Sequence, residues 1–301
     1  YYNICNYFVE GDPGGSIKDE SSKACIVRMI KYANPDILIV TEIGSEKAFN
    51  DFIKNLENVG CSYSVKKYTS GIDSTRHIAM LSKIEPISFQ SKNDLFYKIK
   101  PKDKEEAPLE QVGIQRGFLH ATFKLSENYT LHVIGAHLKS RVFHPRYNQT
   151  DMRRYEARLL RYFVNEIQEK DPNANILVLG DMNDTYDSDA IKTIRASLSA
   201  ETSKILFDLR PVDFLGMAWT HWWNNEDNYG RIDYAFANFA LLPEIIFEKS
   251  KIIHLPECWM FASDHRPLFV VMNTTDKPAI SKDFLDSEFI DAVRIKSKKR
   301  K

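Results

Sequence analysis

Ile176-Leu177-Val178-Leu179-Gly180-Asp181-Met182-Asn183-Asp184 is the stretch from which the rest of the chain can be read. Four consecutive apolar residues follow the breaker Asp171-Pro172-Asn173 and stop at Gly180. The run is too short for a helix and has no polar alternation, so it reads as a strand buried on both faces. It ends by delivering a carboxylate, Asp181, and an amide, Asn183. Ile37-Leu38-Ile39-Val40 repeats the arrangement and delivers Thr41 and Glu42.

Working outward, strand-like and helical runs alternate. Further strands are expected at Tyr1 to Phe8, His77 to Leu81, Gly117 to Phe123, Tyr129 to His137, Ile232 to Phe236 and Leu268 to Met272. Ile26, Met29, Ile30 and Ala33 recur at helical spacing behind a cap at Ser21 or Ser22, and Asn34-Pro35-Asp36 ends that helix. A longer helix is expected from Thr150 to Gln168, with Tyr155, Leu159, Tyr162, Phe163 and Ile167 on one stripe. This order defines an α/β layered domain. The polar segment Ser91 to Gln115 reads as a long loop. Residues 1–275 form one domain, and 276–301 form a basic extension with a weak amphipathic stretch (Leu285, Phe289, Val293) and the solvated end Lys298-Lys299-Arg300-Lys301.

Hydrophobic residues make up 43% of the 301, enough for a large core. Lys+Arg and Asp+Glu balance at 41 each, so no global basic field marks a polyanion binder, and any phosphate recognition must be local. No apolar run is long enough to span a bilayer. The four cysteines (Cys5, Cys25, Cys61, Cys258) lack zinc spacing and read as small buried hydrophobes, with one disulfide left open. The chain begins at Tyr1, inside a strand-like run, which fits either a removed export segment or a trimmed start. A soluble monomer is expected.

Strand ends carry the chemistry. Glu42 and Asp181 follow the two apolar strands, His137 ends a third, Asp233 lies in Arg231-Ile232-Asp233-Tyr234, and Asp264-His265 precede the last. Buried carboxylates aimed at one edge desolvate and repel one another, and a divalent cation relieves both costs. Oxygen ligands without cysteine favour Mg²⁺, with Mn²⁺ or Ca²⁺ as alternatives, over zinc. Magnesium leaves coordination positions for water and a substrate phosphate, which fits phosphoester chemistry. Each residue also has a structural reading. Glu42 can cap a helix from Ser45, His137 can be a core histidine, and Asp181 to Asp184 can be an Asx-turn. His77, His120, His132 and His254 read as structural. Lys139, Arg141, Arg146, Arg153 and Arg154 can form a phosphate-binding patch or be ordinary helix-surface charges. Of Trp219, Trp222 and Trp223, two read as core and one as a substrate-facing wall.

The ordered set resembles the endonuclease/exonuclease/phosphatase superfamily, which includes pancreatic-type deoxyribonucleases, abasic-site endonucleases, neutral sphingomyelinases and inositol polyphosphate 5-phosphatases. The matching pieces are Tyr2-Asn3-Ile4, Thr41-Glu42, Gly135-Ala136-His137-Leu138-Lys139-Ser140, Gly180-Asp181-Met182-Asn183-Asp184, Arg231-Ile232-Asp233-Tyr234 and Ser263-Asp264-His265-Arg266-Pro267. The resemblance implies a four-layer α/β sandwich, two mixed β-sheets face to face with helices outside. It implies Glu42, Asn3 and Asp264 as metal ligands. Asp181 would orient or deprotonate the attacking water, and Asn183 would hold a phosphate oxygen. His265 would contact the phosphate, oriented by Asp233, and His137 would face the scissile phosphate and help protonate the leaving oxygen. Arg116, Lys139, Arg141 and Trp219 are the candidate substrate contacts.

His137 replaces the tyrosine of abasic-site endonucleases, and the Trp-Cys-Asp-Arg string of the inositol phosphatases is absent. The stretch from Lys139-Ser140-Arg141 to Arg153-Arg154-Tyr155-Glu156-Ala157 is similar to bacterial members. The expected activity is Mg²⁺-dependent hydrolysis of a phosphodiester, nucleic acid first, with a phosphorylated metabolite or lipid headgroup as the alternative. A non-catalytic binding module of the same fold is the reading from a different class.

Overall fold

The computed structural model describes residues 1–102, 106–196 and 204–278. The N-terminal half opens with a crossover: β1 (Tyr2–Tyr7), α1 (Glu20–Ala33) and β2 (Ile37–Ile43), then α2 (Glu46–Asn58) and the hairpin of β3 (Val65–Thr69) and β4 (His77–Ser82). These strands form a four-stranded sheet ordered β1-β2-β4-β3, with β1 and β2 parallel. The expected serine cap of α1 is instead Asp19, whose carboxylate accepts from Ser22 N at 2.8 Å. A carboxylate there also meets the positive end of the helix.

The segment expected as a loop, Ser91 to Gln115, contains the end of β5 (Ser88–Lys92) and a hairpin of β6 (Phe96–Ile99) and β7 (Glu110–Gly113). Its polar composition hid strands that bury only alternate residues, Tyr97 and Ile99, as edge ribbons do. Then come β8 (Phe118–Ser126), β9 (Tyr129–His137), α3 (Gln149–Lys170), β10 (Asn175–Asp181), α4 (Asp189–Arg195) and β11 (Leu206–Asp208). The last part holds the β12 (His221–Trp223) and β13 (Asn228–Gly230) hairpin, β14 (Asp233–Asn238), β15 (Lys251–Ile252), the short α5 (Trp259–Ala262) and β16 (Leu268–Phe269). The large sheet has the order β11-β14-β10-β9-β8-β5, with β9 and β10 parallel across α3.

Alternating side chains of the two apolar runs build separate layers. Ile39, Leu177 and Leu179 point between the sheets, where they meet Ile78, Met80, Leu119, Val133 and Ala235. Leu38 and Val40 point outward onto Ile26, Ile30 and Phe52 of α1 and α2. Ile176 and Val178 point outward onto Leu160, Val164 and Ile191 of α3 and α4. Helix, sheet, sheet and helix therefore stack as four layers, and both runs are apolar throughout because each face is covered. Gly135 permits the close approach of the sheets, since a Cβ there would meet Ile39 Cγ2 at 2.9 Å.

The inner stripe of α3 differs from the expected one. Met152, Glu156, Leu160, Phe163, Val164 and Ile167 are buried, Tyr155 and Leu159 only partly, and Tyr162 is exposed. Counting apolar residues alone shifted the face, because the buried face includes Glu156, which accepts from Gln115 N (3.1 Å) and Lys139 N (2.6 Å). The final strand is also shorter than Leu268 to Met272: only Leu268 and Phe269 pair with β15, while Met272 bridges Ile245. All four cysteines are free, and only Cys61 and Cys258 are buried. Leu285, Phe289 and Val293 lie outside the described residues. Among the described residues, no helix is long and apolar enough to cross a membrane.

Candidate active site and metal centre

Three neighbouring strands of the large sheet set His137, Asp181 and Asp233 on one rung. His137 is in register with Asp181, and Asp181 with Asp233. The close packing of this edge admits no side chain at Gly180, where a Cβ would lie 2.2 Å from Ala136 O. The small sheet supplies Asn3 from β1 and Glu42 from β2. Asn3 Nδ2 lies 3.1 Å from Glu42 Oε1, 3.1 Å from Asp181 Oδ2 and 3.3 Å from His265 Nε2. One buried amide thus joins both sheets and the C-terminal loop. That loop is pinned by Ser263, whose hydroxyl donates to Asn3 O at 2.8 Å and accepts from His265 N at 3.0 Å.

The backbone bends to aim these groups. Cys5, Asn6, Glu42 and Asn183 all have positive φ, between 48° and 64°. Such conformations in non-glycine residues cost roughly 1–3 kcal/mol each and collect where surrounding structure enforces them. A register break in β1 between Asn3 and Tyr7 turns Asn6 N onto Glu42 Oε2 at 3.0 Å. Asn183 N donates to Asp181 Oδ1 at 2.8 Å, and its Nδ2 spends one of two hydrogens on Leu138 O at 3.0 Å. The Asx-turn of the alternative structural reading is therefore present, and it lies inside the cleft. Glu42 is not a helix cap, because Ser45 caps α2 through Ala48 N.

Charge states follow from burial and neighbours. Burial first, then the charge of Asp233, pushes the Asp181 carboxyl up to about 8. Burial, reinforced by Arg116 and His265, holds His137 well below the usual imidazole value. A neutral His137 carries one N–H and one lone pair. Burial opposes charge on His265, but Asp233 and Asp264 outweigh it and hold the ring protonated well above its usual range. His265 Nδ1 sits 2.8 Å from Asp233 Oδ2, which fixes the ring and leaves Nε2 facing the cleft. Asp264 is also desolvated, yet His265 and His221 keep its carboxyl well below the usual carboxylate range.

The residues fit a divalent cation. Glu42, His137 and Asp181 offer ligand atoms within 4.8 Å of one another, as do Asp181, Asp233 and His265, and also His221, Asp264 and His265. His137 Nε2 lies 3.8 Å from Glu42 Oε1 and 3.7 Å from Asp181 Oδ2, and neither ring nitrogen has a hydrogen-bond partner. Asp233 Oδ1 is likewise buried without a partner. Orphaned buried polar atoms at the meeting point of several carboxylates are what an ion satisfies.

The expected substrate contacts fare less uniformly. Arg116 is buried, bound to Asp73 Oδ2 at 2.9 Å and Leu138 O at 3.3 Å. Lys139 is buried, and its Nζ folds onto Ser140 O and Val142 O at 3.2 Å. Burial, then Arg116, lowers its ammonium to about 8. Arg153 is buried against Asp184 (2.8 Å), Arg146 pairs with Glu110 (2.5 Å) and Arg154 with Asp151 (2.9 Å). Arg141 donates to Asn183 O at 3.2 Å and pairs with Asp184 Oδ1 at 3.1 Å, with half its side chain exposed. It also borders a cavity of about 420 Å³ with Arg153, Arg154 and Asp184. Trp219 stacks on Arg266, 3.3 Å from the ring centre, and none of the three tryptophans is fully buried.

Sequence reasoning missed Arg76, Thr220 and His221. Arg76 Nε donates to Asn6 Oδ1 at 2.7 Å and lies 3.8 Å from Glu42. Thr220 Oγ1 accepts from Ile232 N and Asp233 N at 3.1 Å. His221 Nε2 lies 3.6 Å from Asp264 Oδ2. His221 starts β12, while Arg76 and Thr220 sit in the loops just before β4 and β12, and no local pattern marks them.

The fold and the cleft together define a phosphoesterase-type α/β sandwich. The chain matches the Endonuclease/Exonuclease/phosphatase family over residues 18–218, more than half its length, and belongs to that family. No curated protein matches it in sequence. Among solved structures it is similar to truncated TDP2 from Caenorhabditis elegans, with a TM-score of 0.54, 15% identity and 88% of this chain and 93% of that one covered. It is also similar to beta toxin from Staphylococcus aureus (0.58, 14%, 90% and 98%). The human Nocturnin catalytic domain with bound sulfate gives 0.53 and 14%, covering 91% and 93%. Identities this low carry the fold alone.

Proposed function

We propose that the protein hydrolyses a phosphodiester with the help of a divalent cation, Mg²⁺ first, in a catalytic domain spanning residues 1–275. The observation that carries this reading is the meeting of Asn3, Glu42, Asp181 and His265 through one amide, with His137, Asp233 and Asp264 around them. Glu42 and Asn3, with Asp264 beside them, would hold the ion. When bound, it supplies charge neutralisation on the phosphate and acidifies a water. Asp181, desolvated and therefore basic, would accept the proton of the attacking water. The free hydrogen of Asn183 Nδ2 and the Nε2 of His265 would meet the phosphate oxygens, with Asp233 keeping that imidazole charged and aligned. Neutral His137 can donate one hydrogen bond to the phosphate or one lone pair to the ion. A role for it as proton donor to the leaving oxygen would require recharging the ring in every turnover.

A second reading, a small phosphorylated metabolite or lipid headgroup as substrate, is favoured by the arginine pairings. With Arg141, Arg146, Arg153 and Arg154 each held by a carboxylate, the patch lacks the free basic track that a duplex backbone calls for. The test is hydrolysis of bis-p-nitrophenyl phosphate with Mg²⁺ and with EDTA. Equal rates in the two would refute metal dependence. No hydrolysis in any metal, unchanged by His265→Ala, would favour a binding module. A panel of plasmid DNA, single-stranded RNA, sphingomyelin and inositol phosphates then separates the substrate classes.

A further inference from the structure

The cavity of about 420 Å³ lies where the first turns of α3 and α4 meet beside Asp184. Its volume fits a compact small molecule. Ala190 is the one apolar residue of the lining, so an apolar ligand finds no partner there. Arg153 and Arg154 enter from α3, together with Thr150 of the same turn.

These guanidinium groups are paired but not exhausted. Arg153 is 3% exposed, with Nε on Asp184 Oδ2 at 2.8 Å and Nη1 on Lys139 O at 3.1 Å. Among the described residues, nothing accepts from its Nη2. Arg154 pairs through Nη2 with Asp151 at 2.9 Å, yet its Nε is buried with no hydrogen-bond partner. Leaving a buried donor without an acceptor is costly, and a bound ion is one way to satisfy it. The 22-residue α3 begins at the cavity wall, so its positive end adds to the field there. Planar guanidinium edges beside a helix N-terminus match the oxygens of a phosphoryl group. Asp184 and the exposed Asp189 share the lining and would repel a polyanion, so the charge accepted is that of one such group.

We propose that this cavity is an anion site for a phosphoryl group on a compact molecule, held by Arg153, Arg154 and the first turn of α3. Asp184 directly follows Asn183, and Arg141 donates to Asn183 O at 3.2 Å, so the site borders the cleft. Its ligand is either a second phosphate of the substrate or a separate phosphorylated molecule. The link to turnover rests on the hydrolytic reading of the cleft, and the binding does not.

The test is calorimetric titration of inorganic phosphate into the full chain in EDTA, where no cation draws phosphate to the cleft. One phosphate is expected to bind. Arg154→Gln, and Thr150→Glu at an exposed position, should each weaken it by at least about tenfold, while His265→Ala leaves it unchanged. Circular dichroism melts establish which variants are folded. Phosphate affinity retained in the folded cavity variants, binding abolished by His265→Ala, or no binding at all overturns the proposal. Kinetics with Mg²⁺ then separate the two sources. If the ligand is the substrate's own second phosphate, the cavity variants raise KM for an inositol phosphate carrying two phosphates and not for bis-p-nitrophenyl phosphate. If it is a separate molecule, phosphate changes the rate on bis-p-nitrophenyl phosphate in wild type and less in the variants. Binding without any hydrolysis would sink the reading of the cleft and leave this site standing.

Discussion

Glu42 and Asp181 end two strands built alike, and the difference between them is instructive. Each strand is an apolar run following a crossover helix, parallel to the strand before it. Each run delivers its acid at the same edge of the sandwich. Yet Glu42 keeps 16% of its side chain exposed and rests near Asn6 N and the Arg76 guanidinium. Asp181 is sealed in, 2% exposed, on the same rung as a second carboxylate. The first environment leaves a carboxylate partly open beside hydrogen-bond donors. The second makes charge expensive and raises the carboxyl. Identical local sequence logic therefore yields two environments, and the neighbouring strand decides which.

The largest expected effect breaks this comparison on the Asp181 side. Asp181→Asn should lower turnover about a thousandfold, the range of a lost general base. In chelator it should also stabilise the fold at alkaline pH. The carboxyl is raised in the folded state, so wild-type stability is greatest below the unfolded value near 3.8 and falls as pH rises through about 8. Melting curves from pH 4 to 9 should show wild type and variant converging at the acid end and the variant ahead at the alkaline end. Parallel curves would show that desolvation does not govern Asp181.

Glu42→Gln should cost about a hundredfold at low Mg²⁺, with much of the loss recovered by raising the ion, because a ligand rather than a base has gone. Activity measured against Mg²⁺ concentration separates the two cases, and a loss that magnesium does not restore would make Glu42 resemble Asp181. Asp233→Asn removes both the charge opposite Asp181 and the partner of His265. A ten- to a hundredfold loss in kcat is expected, typical of an outer partner, together with a fall in the pH at which activity declines on the alkaline side. An unchanged pH profile would mean that Asp233 only fills space.

The smallest effect concerns a titrating pair in the same large sheet but outside the cleft. His120 Nε2 and His132 Nδ1 are 3.0 Å apart on β8 and β9, and burial, then His132, lowers His120 to about 4. The folded state resists a proton that the unfolded chain takes below 6.5, so stability should fall as pH drops from 6.5 towards 4, the opposite sign to Asp181. Roughly 2–3 kcal/mol is at stake by pH 4.5. Urea midpoints at pH 7 and 4.5 should differ in wild type and differ much less in His120→Gln. Equal losses in both proteins would assign the acid sensitivity elsewhere.

Apolar runs, breakers and polar strand ends are local, so the sequence alone determined the α/β layering and most of the cleft. Glu42, His137, Asp181, Asn183, Asp233, Asp264 and His265 could be named because each sits at a strand end or in a short loop, positions where a polar residue must have a partner, and Asn3 was named by the family resemblance of Tyr2-Asn3-Ile4. Strands that bury only alternate side chains, such as β6 and β7, left no such mark. Nor did the inner face of α3, where Glu156 takes an apolar position because two backbone amides meet it there. The tertiary structure alone decided which acid is desolvated and which arginines are already paired. It also decided that His221 stands beside Asp264, since the pairing of β-strands far apart in sequence sets desolvation, neutralisation and ligand grouping.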